Sequence, residues 1–282
     1  VKPARARDRD GGLVVFGGGT SRRVGQGRIW LVGAGPGDPE LMTFKAARLL
    51  SEADVVVYDR LVGEGVLAMI RPGARKLYVG KRKSHHSVPQ DEVNRLLVAL
   101  ALEGFVVVRL KGGDPFMFGR GGEEMLAARE AGVPCDVVPG VSAAVAAGAS
   151  LGAPLTHRGL AQSVTFVTGH SAQGGEPDLD WTALARANHT VAVYMGLTTA
   201  PVIAARLIAA GRSPSTPVAV VENVSRADER RLVTTLGQLP EAVSGLTGPA
   251  MLIIGEAASL AQTEKTEDRT VAPDKTIAEE RA

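Results

Sequence analysis

Phe105-Val106-Val107-Val108-Arg109-Leu110-Lys111-Gly112-Gly113-Asp114-Pro115-Phe116-Met117-Phe118-Gly119-Arg120-Gly121-Gly122-Glu123-Glu124 is the stretch whose reading decides the fold. Its Val-rich opening predicts a strand over 105–110. Gly112 and Gly113 then permit a tight turn and a close approach of backbone to a ligand. Asp114 adds a carboxylate there, and a helix is predicted over 121–131. Strand, glycine turn and helix in that order put the turn at the carboxyl end of a strand, where open α/β sheets bind their ligands. Met117 offers a soft side chain to a flat ring or a sulfur. Arg120 and Glu123 lie about one helical turn apart, a spacing that also describes an ordinary intrahelical ion pair.

The same alternation extends in both directions. Upstream, 28–32 reads as a strand that stops at Gly33-Ala34-Gly35-Pro36-Gly37-Asp38. A helix is predicted over 41–53, with Asp38 as cap, Pro39 at the first helical position and Glu40 at the positive end. A strand over 54–58, a helix over 91–102 and a brief strand over 137–138 complete a mainly parallel sheet covered by helices. After Pro139 the pattern restarts. Strands are predicted over 163–168, 190–195, 217–221, 231–235 and 250–254, with a helix over 199–210. Their hairpin-like spacing implies a mixed sheet. These readings divide the chain into two α/β domains, 28–139 and 140–261. Residues 1–27, mixing Arg, Asp and Gly, read as a flexible arm, and 262–282, polar and without apolar periodicity, as a disordered tail.

At 282 residues with 45% hydrophobic content the chain can build a sizeable core, and with 4% aromatics that core must be mainly Val, Leu, Ala and Ile. A formal net charge of +2 lacks the basic bias of a sequence-blind nucleic-acid binder, so anion recognition must be local. The one cysteine, Cys135, excludes an intrachain disulfide and a cysteine metal cluster, and reads as a small buried hydrophobe. No apolar run approaches the roughly 20 residues of a membrane span. No charged-then-apolar leader opens the chain. The expectation is a cytoplasmic protein with neither nucleic acid nor membrane as partner.

Further motifs fall just after predicted strands. The 33–38 turn has neither the G-x-G-x-x-G spacing of a dinucleotide loop nor a Walker A pattern. Gly80-Lys81-Arg82-Lys83-Ser84-His85-His86-Ser87-Val88-Pro89-Gln90 is a basic loop suited to an anion. Its adjacent histidines point apart and no cysteine is near, so no metal is expected. Tyr58-Asp59-Arg60, Pro154-Leu155-Thr156-His157-Arg158, Thr168-Gly169-His170 and Tyr194-Met195-Gly196 are each compatible with a plain turn. Their shared position at strand ends lets them line one cleft.

GAGPGDPELMT, YDRLV, GKR followed by HHSVPQDEVN, VVRLKGGDPFMFGRGGEE, VPGVSAA, APLTHR, TGH, VYMGL, PVAVVEN and GPAMLIIGE occur in one order over 28–258. Together they resemble the uroporphyrinogen-III C-methyltransferase family within the tetrapyrrole methylases. The resemblance implies two α/β domains with the active site in the cleft between them, and a homodimer. It implies S-adenosyl-L-methionine as methyl donor, S-adenosyl-L-homocysteine as product, and uroporphyrinogen III methylated at two ring carbons (C2 and C7), through precorrin-1, to precorrin-2. That product serves sirohaem, cobalamin or haem d1 formation. By resemblance Pro36, Gly112, Gly113, Asp114, Met117, Ser142, Ala143, Met195 and Val224 hold the cofactor, with Ala250 a weaker member of the set. Ser142 stands where Thr is usual and keeps the hydroxyl; Val224 stands where Gly is usual. Asp59 and Lys81 match the positions of a proton acceptor and donor, with Arg120 beside them in catalysis. Arg60, Arg120, Glu123, Arg158 and His170 match substrate-facing positions.

The chemistry agrees with those residue types. A tetrapyrrole bearing many carboxylates suits arginine, whose planar fork makes two parallel charge-assisted bonds. Methyl transfer needs a ring carbon aligned with a sulfonium methyl, so positioning carries much of the catalysis. A ring proton must then leave, to Asp59, to a substrate carboxylate organised by Arg120, or to water. A methylase of later corrin intermediates is the rival enzyme, and a nucleotide-binding module the rival of another class.

Overall fold

The computed structural model describes residues 5–7, 13–15, 27–80, 88–171 and 175–263. Its first sheet contains β1 (Arg5–Arg7), β2 (Leu13–Val15), β3 (Arg28–Gly33), β4 (Val55–Tyr58), β5 (Arg75–Tyr78), β6 (Val106–Lys111) and β7 (Cys135–Val138). The spatial order is β2-β1-β5-β4-β6-β3-β7, and β5, β4, β6, β3 and β7 run parallel. Helices α1 (Phe44–Glu52) and α2 (Glu64–Ala68) cover one face, packing Leu49, Leu50 and Val66 on Val32, Val56, Val108 and Leu110. Helices α3 (Gln90–Leu102) and α4 (Gly121–Glu130) cover the other, over Ile29, Leu31, Val55, Val57 and Val107. Covered on both faces, the central strands read as continuous apolar runs rather than as alternating ones. Strand order reverses between β3 and β6, which brings the 33–38 and 111–120 turns side by side at the carboxyl edge.

Residues 139–142 lead out of this sheet into α5 (Ala143–Leu151). The second sheet comprises β8 (Ser163–Thr168), β9 (His189–Tyr194), β10 (Pro217–Glu222), β11 (Arg230–Thr235) and β12 (Ala250–Ile254), in the order β11-β10-β12-β9-β8. Only β8 and β9 pair in parallel, so the sheet is mixed, as its spacing predicts. Helices α6 (Trp181–Leu184), α7 (Ala200–Ala209) and α8 (Leu239–Ala242) pack on one face and α5 on the other. Because β12 is antiparallel to both β9 and β10, the carboxyl ends of β8, β9 and β10 share an edge with the amino end of β12. His170, Met195, Val224 and Ala250 therefore all lie along one edge of the second sheet.

One sequence expectation needs correction, and further elements stand where the sequence reading named none. The helix predicted over 41–53 is split. Asp38 caps a 3-10 turn, Pro39–Leu41, accepting from the Glu40 N–H at 2.8 Å; Met42 is extended, and Thr43 recaps the chain by accepting from the Ala46 N–H at 3.2 Å. Two cap residues five positions apart explain the break. Within 1–27, expected as a flexible arm, β1 and β2 pair antiparallel, and Arg7 pairs with Tyr78 on the edge strand β5. That edge offers unpaired backbone groups which another strand can satisfy. Finally, α5 has no counterpart in the sequence reading. Of the tail, 262 and 263 are described; the Gln262 N–H donates to the Leu151 carbonyl at 2.8 Å. Residues 264–282 lie outside the described residues.

Candidate active site

Four loops of the first sheet meet at its carboxyl edge, and glycine is what lets them touch. Gly35 and Gly113, both with positive φ, exchange backbone hydrogen bonds of 3.2 and 2.7 Å. A Cβ on Gly33 would lie 2.7 Å from the Gly113 carbonyl oxygen. Asp114 braces the same corner, its Oδ1 accepting from the Phe116 N–H at 2.8 Å and its Oδ2 from the Gly140 N–H at 3.1 Å. Pro36 is buried between Gly35 and Gly37. A Cβ on Gly112 would collide with the Leu61 side chain and carbonyl, so the Asp59–Arg60 turn is held against the glycine loop.

The facing edge of the second sheet supplies the rest. Ser142 is the N-cap of α5, yet its hydroxyl pairs with the Tyr194 phenol instead of with a helix N–H. The same phenol accepts from the Ala144 N–H at 3.3 Å, so Tyr194 satisfies a donor that the cap leaves free. Burial raises the Tyr194 pKa, while the Ser142 and Ala144 hydrogen bonds work against the rise. The Phe118 ring lies 4.9 Å from that of Tyr194, and Met117 packs on the α5 cluster, joining the β6 loop to the second sheet. Met195 is half-exposed at positive φ. Arg226 crosses between the sheets: its Nη2 donates to the Leu61 carbonyl at 2.7 Å and its side chain lies against Gly37.

The remaining predicted residues sort by environment. Asp59 is partly buried, its Oδ1 accepting from the Leu61 N–H at 3.0 Å and its Oδ2 from Arg109 at 2.9 Å. Arg120 makes a two-pronged pair with Glu123, Nε to Oε1 at 2.8 Å and Nη2 to Oε2 at 2.7 Å, with both side chains about half exposed. The Arg120 hydrogen bond holds the Glu123 carboxyl below the usual carboxylate range. His170 is exposed, but both ring nitrogens are engaged, Nδ1 with the Met195 carbonyl at 2.7 Å and Nε2 with the Thr198 hydroxyl at 3.2 Å. Arg60 and Arg158 are exposed. Val224 turns its side chain into the α5 cluster, and its carbonyl faces Gly37. Ala250 is buried opposite Glu222. Lys81, His85 and His86 lie outside the described residues. Among the described residues, no three His, Cys, Asp or Glu side chains are grouped to hold a metal ion, and no helix is long and apolar enough to cross a membrane.

Sequence reasoning missed Tyr194 as a cap, Arg226 as a cross-brace, and the buried Arg109, Lys111 and Glu124. The last had a visible signal: two cations inside a run otherwise fit for a buried parallel strand. A concavity of about 410 Å³ lies elsewhere, between β8 and α6, and contains none of the predicted site residues. Removing the Tyr194 hydroxyl tests the cap. Tyr194→Phe is expected to cost about 1 kcal/mol of stability, the usual worth of a lost helix cap. The loosened start of α5 should also weaken severalfold the binding of S-adenosylhomocysteine, the product that the resemblance implies. Thermal melting and calorimetric titration report the two effects; unchanged values in both would remove Tyr194 from this role.

The glycine loops lie at a topological switch point, close to the start of α5, in an α/β fold of two sheets. Residues 28–240 match the model of the Tetrapyrrole (Corrin/Porphyrin) Methylases, and the chain belongs to that family. It is 53% identical over 237 residues to the siroheme synthase of Tolumonas auensis, covering 84% of this chain and 50% of that protein. The chain thus spans about half the length of the curated relatives it matches. Among solved structures it is similar to the uroporphyrin-III C-methyl transferase of Thermus thermophilus, at 46% identity and a TM-score of 0.73 over 83% of this chain and 94% of that one. A uroporphyrin-III C-methyl transferase from Thermus thermophilus complexed with S-adenyl homocysteine matches at 48% identity and 0.72, over 82% and 93%. A cobalt precorrin-4 methyltransferase matches at 33% and 0.72, over 82% and 95%.

Proposed function

We propose that this methylase transfers methyl groups from S-adenosyl-L-methionine to C2 and C7 of uroporphyrinogen III, giving precorrin-2 by way of precorrin-1. The observation that supports this substrate most is the grading of likeness, closer to the Thermus uroporphyrin-III enzyme than to the cobalt precorrin-4 enzyme. The Gly112–Gly113 backbone suits the cofactor: a Cβ on Gly113 would point towards the Ala143 N–H, 3.8 Å away, between the glycine loop and the start of α5. Pro36, Asp114, Met117, Ser142, Ala143 and Met195 would complete that cradle, with the Val224 backbone and Ala250 at its edge. When bound, the cofactor supplies an electrophilic sulfonium methyl.

The chain's own residues bind, orient and deprotonate. Arg60, Arg120 and Arg158 are exposed and able to fork substrate carboxylates, Glu123 fixes the Arg120 fork, and His170 holds the Met195 turn. Asp59, held through both oxygens yet partly open to solvent, is the proposed acceptor of the ring proton; a substrate carboxylate held by Arg120, or water, is the alternative. Lys81 remains the proposed donor. The homodimer and the cytoplasmic setting belong to the same proposal, as does supply of sirohaem, cobalamin or haem d1.

The test is incubation with labelled S-adenosylmethionine and uroporphyrinogen III, followed by identification of the product. Two added methyl groups are expected, from a particle of twice the 29.3 kDa chain mass. Methylation of a later corrin intermediate with none of uroporphyrinogen III would favour the rival enzyme. S-adenosylhomocysteine at 100 times its Kd should stabilise the native state by about 2.7 kcal/mol. For a protein of this size that is a melting shift of roughly 5–10 °C. No binding at millimolar ligand would sink the cofactor assignment.

A further inference from the structure

Towards the carboxyl end of the first sheet, β6 carries two cations where its neighbours are apolar: Arg109 is 5% exposed and Lys111 4%. Both reach Glu124, itself 1% exposed on the first turn of α4. Glu124 Oε1 accepts from Arg109 Nε at 2.9 Å, from Lys111 Nζ at 3.0 Å and from Gln90 Nε2 at 3.3 Å. The rest of the Arg109 guanidinium turns the other way. Its Nη2 donates to Asp59 Oδ2 at 2.9 Å, and its Nη1 donates to the carbonyls of Leu110 at 3.0 Å and Val57 at 3.4 Å. Burial works against the Arg109 charge, but Glu124 and Asp59 outweigh it and raise its pKa. Burial, then Arg109, lowers that of Lys111.

Stability alone does not account for this cluster. Burying two cations and a carboxylate, with Asp59 partly buried beside them, is costly even when they are paired, and apolar side chains of similar volume often do as well or better. What the charges add is direction. One rigid, planar group spans from the end of β4, where Asp59 and Arg60 sit, to the turn of α4 that carries Glu123 beside Glu124. Through Gln90 the cluster also ties down the first residue of α3, which follows the basic loop. We propose that Arg109 and Glu124 are positioning residues that hold Asp59 and the Arg120–Glu123 turn at a fixed separation, without touching substrate or cofactor themselves. The inference rests on the functional reading above and deepens it.

Arg109→Lys keeps the charge but cannot span both carboxylates. Its kcat for methyl transfer is expected to fall roughly 10- to 100-fold, the scale of a misplacement of about an ångström. S-adenosylhomocysteine affinity should stay within about twofold, a margin under 0.5 kcal/mol. Hydrogen exchange should rise in segments 58–63 and 119–124 and not in 33–38. Glu124→Gln, nearly isosteric, should give the same pattern and carries the test if Arg109→Lys does not fold. An unchanged kcat in both variants overturns the proposal. So does a loss shared equally by kcat and cofactor affinity with exchange raised throughout, which is a purely structural role. If the unmodified enzyme does not methylate uroporphyrinogen III, the substrate reading fails instead, and the exchange pattern alone decides for or against the cluster.

Discussion

Gly140→Ala is expected to cripple the protein although it adds a single methyl group. The new Cβ would run into the Gly113 carbonyl oxygen and lie 2.8 Å from Gly33 Cα, and all of these are backbone atoms. A flexible side chain could swing aside, but three strand-end backbones already locked together by the Gly35–Gly113 pair and the Asp114 brace cannot. Overpacking of this kind costs about 1–3 kcal/mol and sometimes more. At 2–4 °C per kcal/mol that is a melting temperature lower by roughly 2–12 °C. The displaced Gly112–Gly113 loop should also lose S-adenosylhomocysteine affinity, on the order of tenfold for each 1.4 kcal/mol of misfit. Gly122→Ala is the matched control. That glycine lies in the first turn of α4, and a Cβ there would meet nothing within 4 Å. It should be neutral or stabilising by up to about 1 kcal/mol, since alanine restricts the unfolded chain. Equal melting temperatures and affinities in the two variants would mean that the loops are not locked at Gly140.

What the sequence made legible, and what it hid, follow from how each residue acts. The strand ends were readable because a buried parallel strand is a continuous apolar run that must stop at a turn, so β6 and the Lys111–Gly113 turn could be placed directly. Glycine spacing marked the cradle because no other residue permits that approach of backbones. Helix α5 was hidden because Ala143-Ala144-Val145-Ala146-Ala147-Gly148-Ala149-Ser150-Leu151 is apolar nearly all round and shows no face for periodicity to find. The break at Met42 was hidden because the sequence holds two competent caps, Asp38 and Thr43, and only the chain path shows that both are used. Strand β5, Arg-Lys-Leu-Tyr, is too polar to announce itself. Pairings between distant elements carry no local signal at all. Arg109 with Asp59, Tyr194 with Ser142 and Arg226 with Leu61 depend on which strand ends the topology makes neighbours.

Arg120→Lys is the second large effect expected, and it separates a working arginine from a surface ion pair. Arg120 is a non-glycine residue at φ 59°, immediately ahead of α4, a left-handed conformation that side chains seldom adopt. The fold accepts that cost at the end of the 111–120 turn, where the guanidinium is about half exposed beside Glu123. Glu123 takes one edge of it, through Nε and Nη2; in the proposed function the end-on edge, formed by the two Nη groups together, forks a substrate carboxylate. Lysine keeps the charge, the left-handed backbone and an ion pair with Glu123, but it has no second edge. The loss should therefore fall on the substrate. Its expected size is about 1.5–3 kcal/mol, the worth of a hydrogen bond to a charged group. That is roughly 10- to 150-fold in rate or in tetrapyrrole affinity. S-adenosylhomocysteine binding should be nearly unchanged, because no part of the glycine cradle moves. If the pair is only a surface ornament of α4, the cost stays under about 1 kcal/mol, as for other exposed ion pairs. Steady-state kinetics at low substrate, with cofactor affinity measured separately, tells these apart. Near-normal turnover would take Arg120 out of the active site. An equal loss of cofactor binding would show that the substitution had disturbed the 111–121 loop rather than the substrate fork.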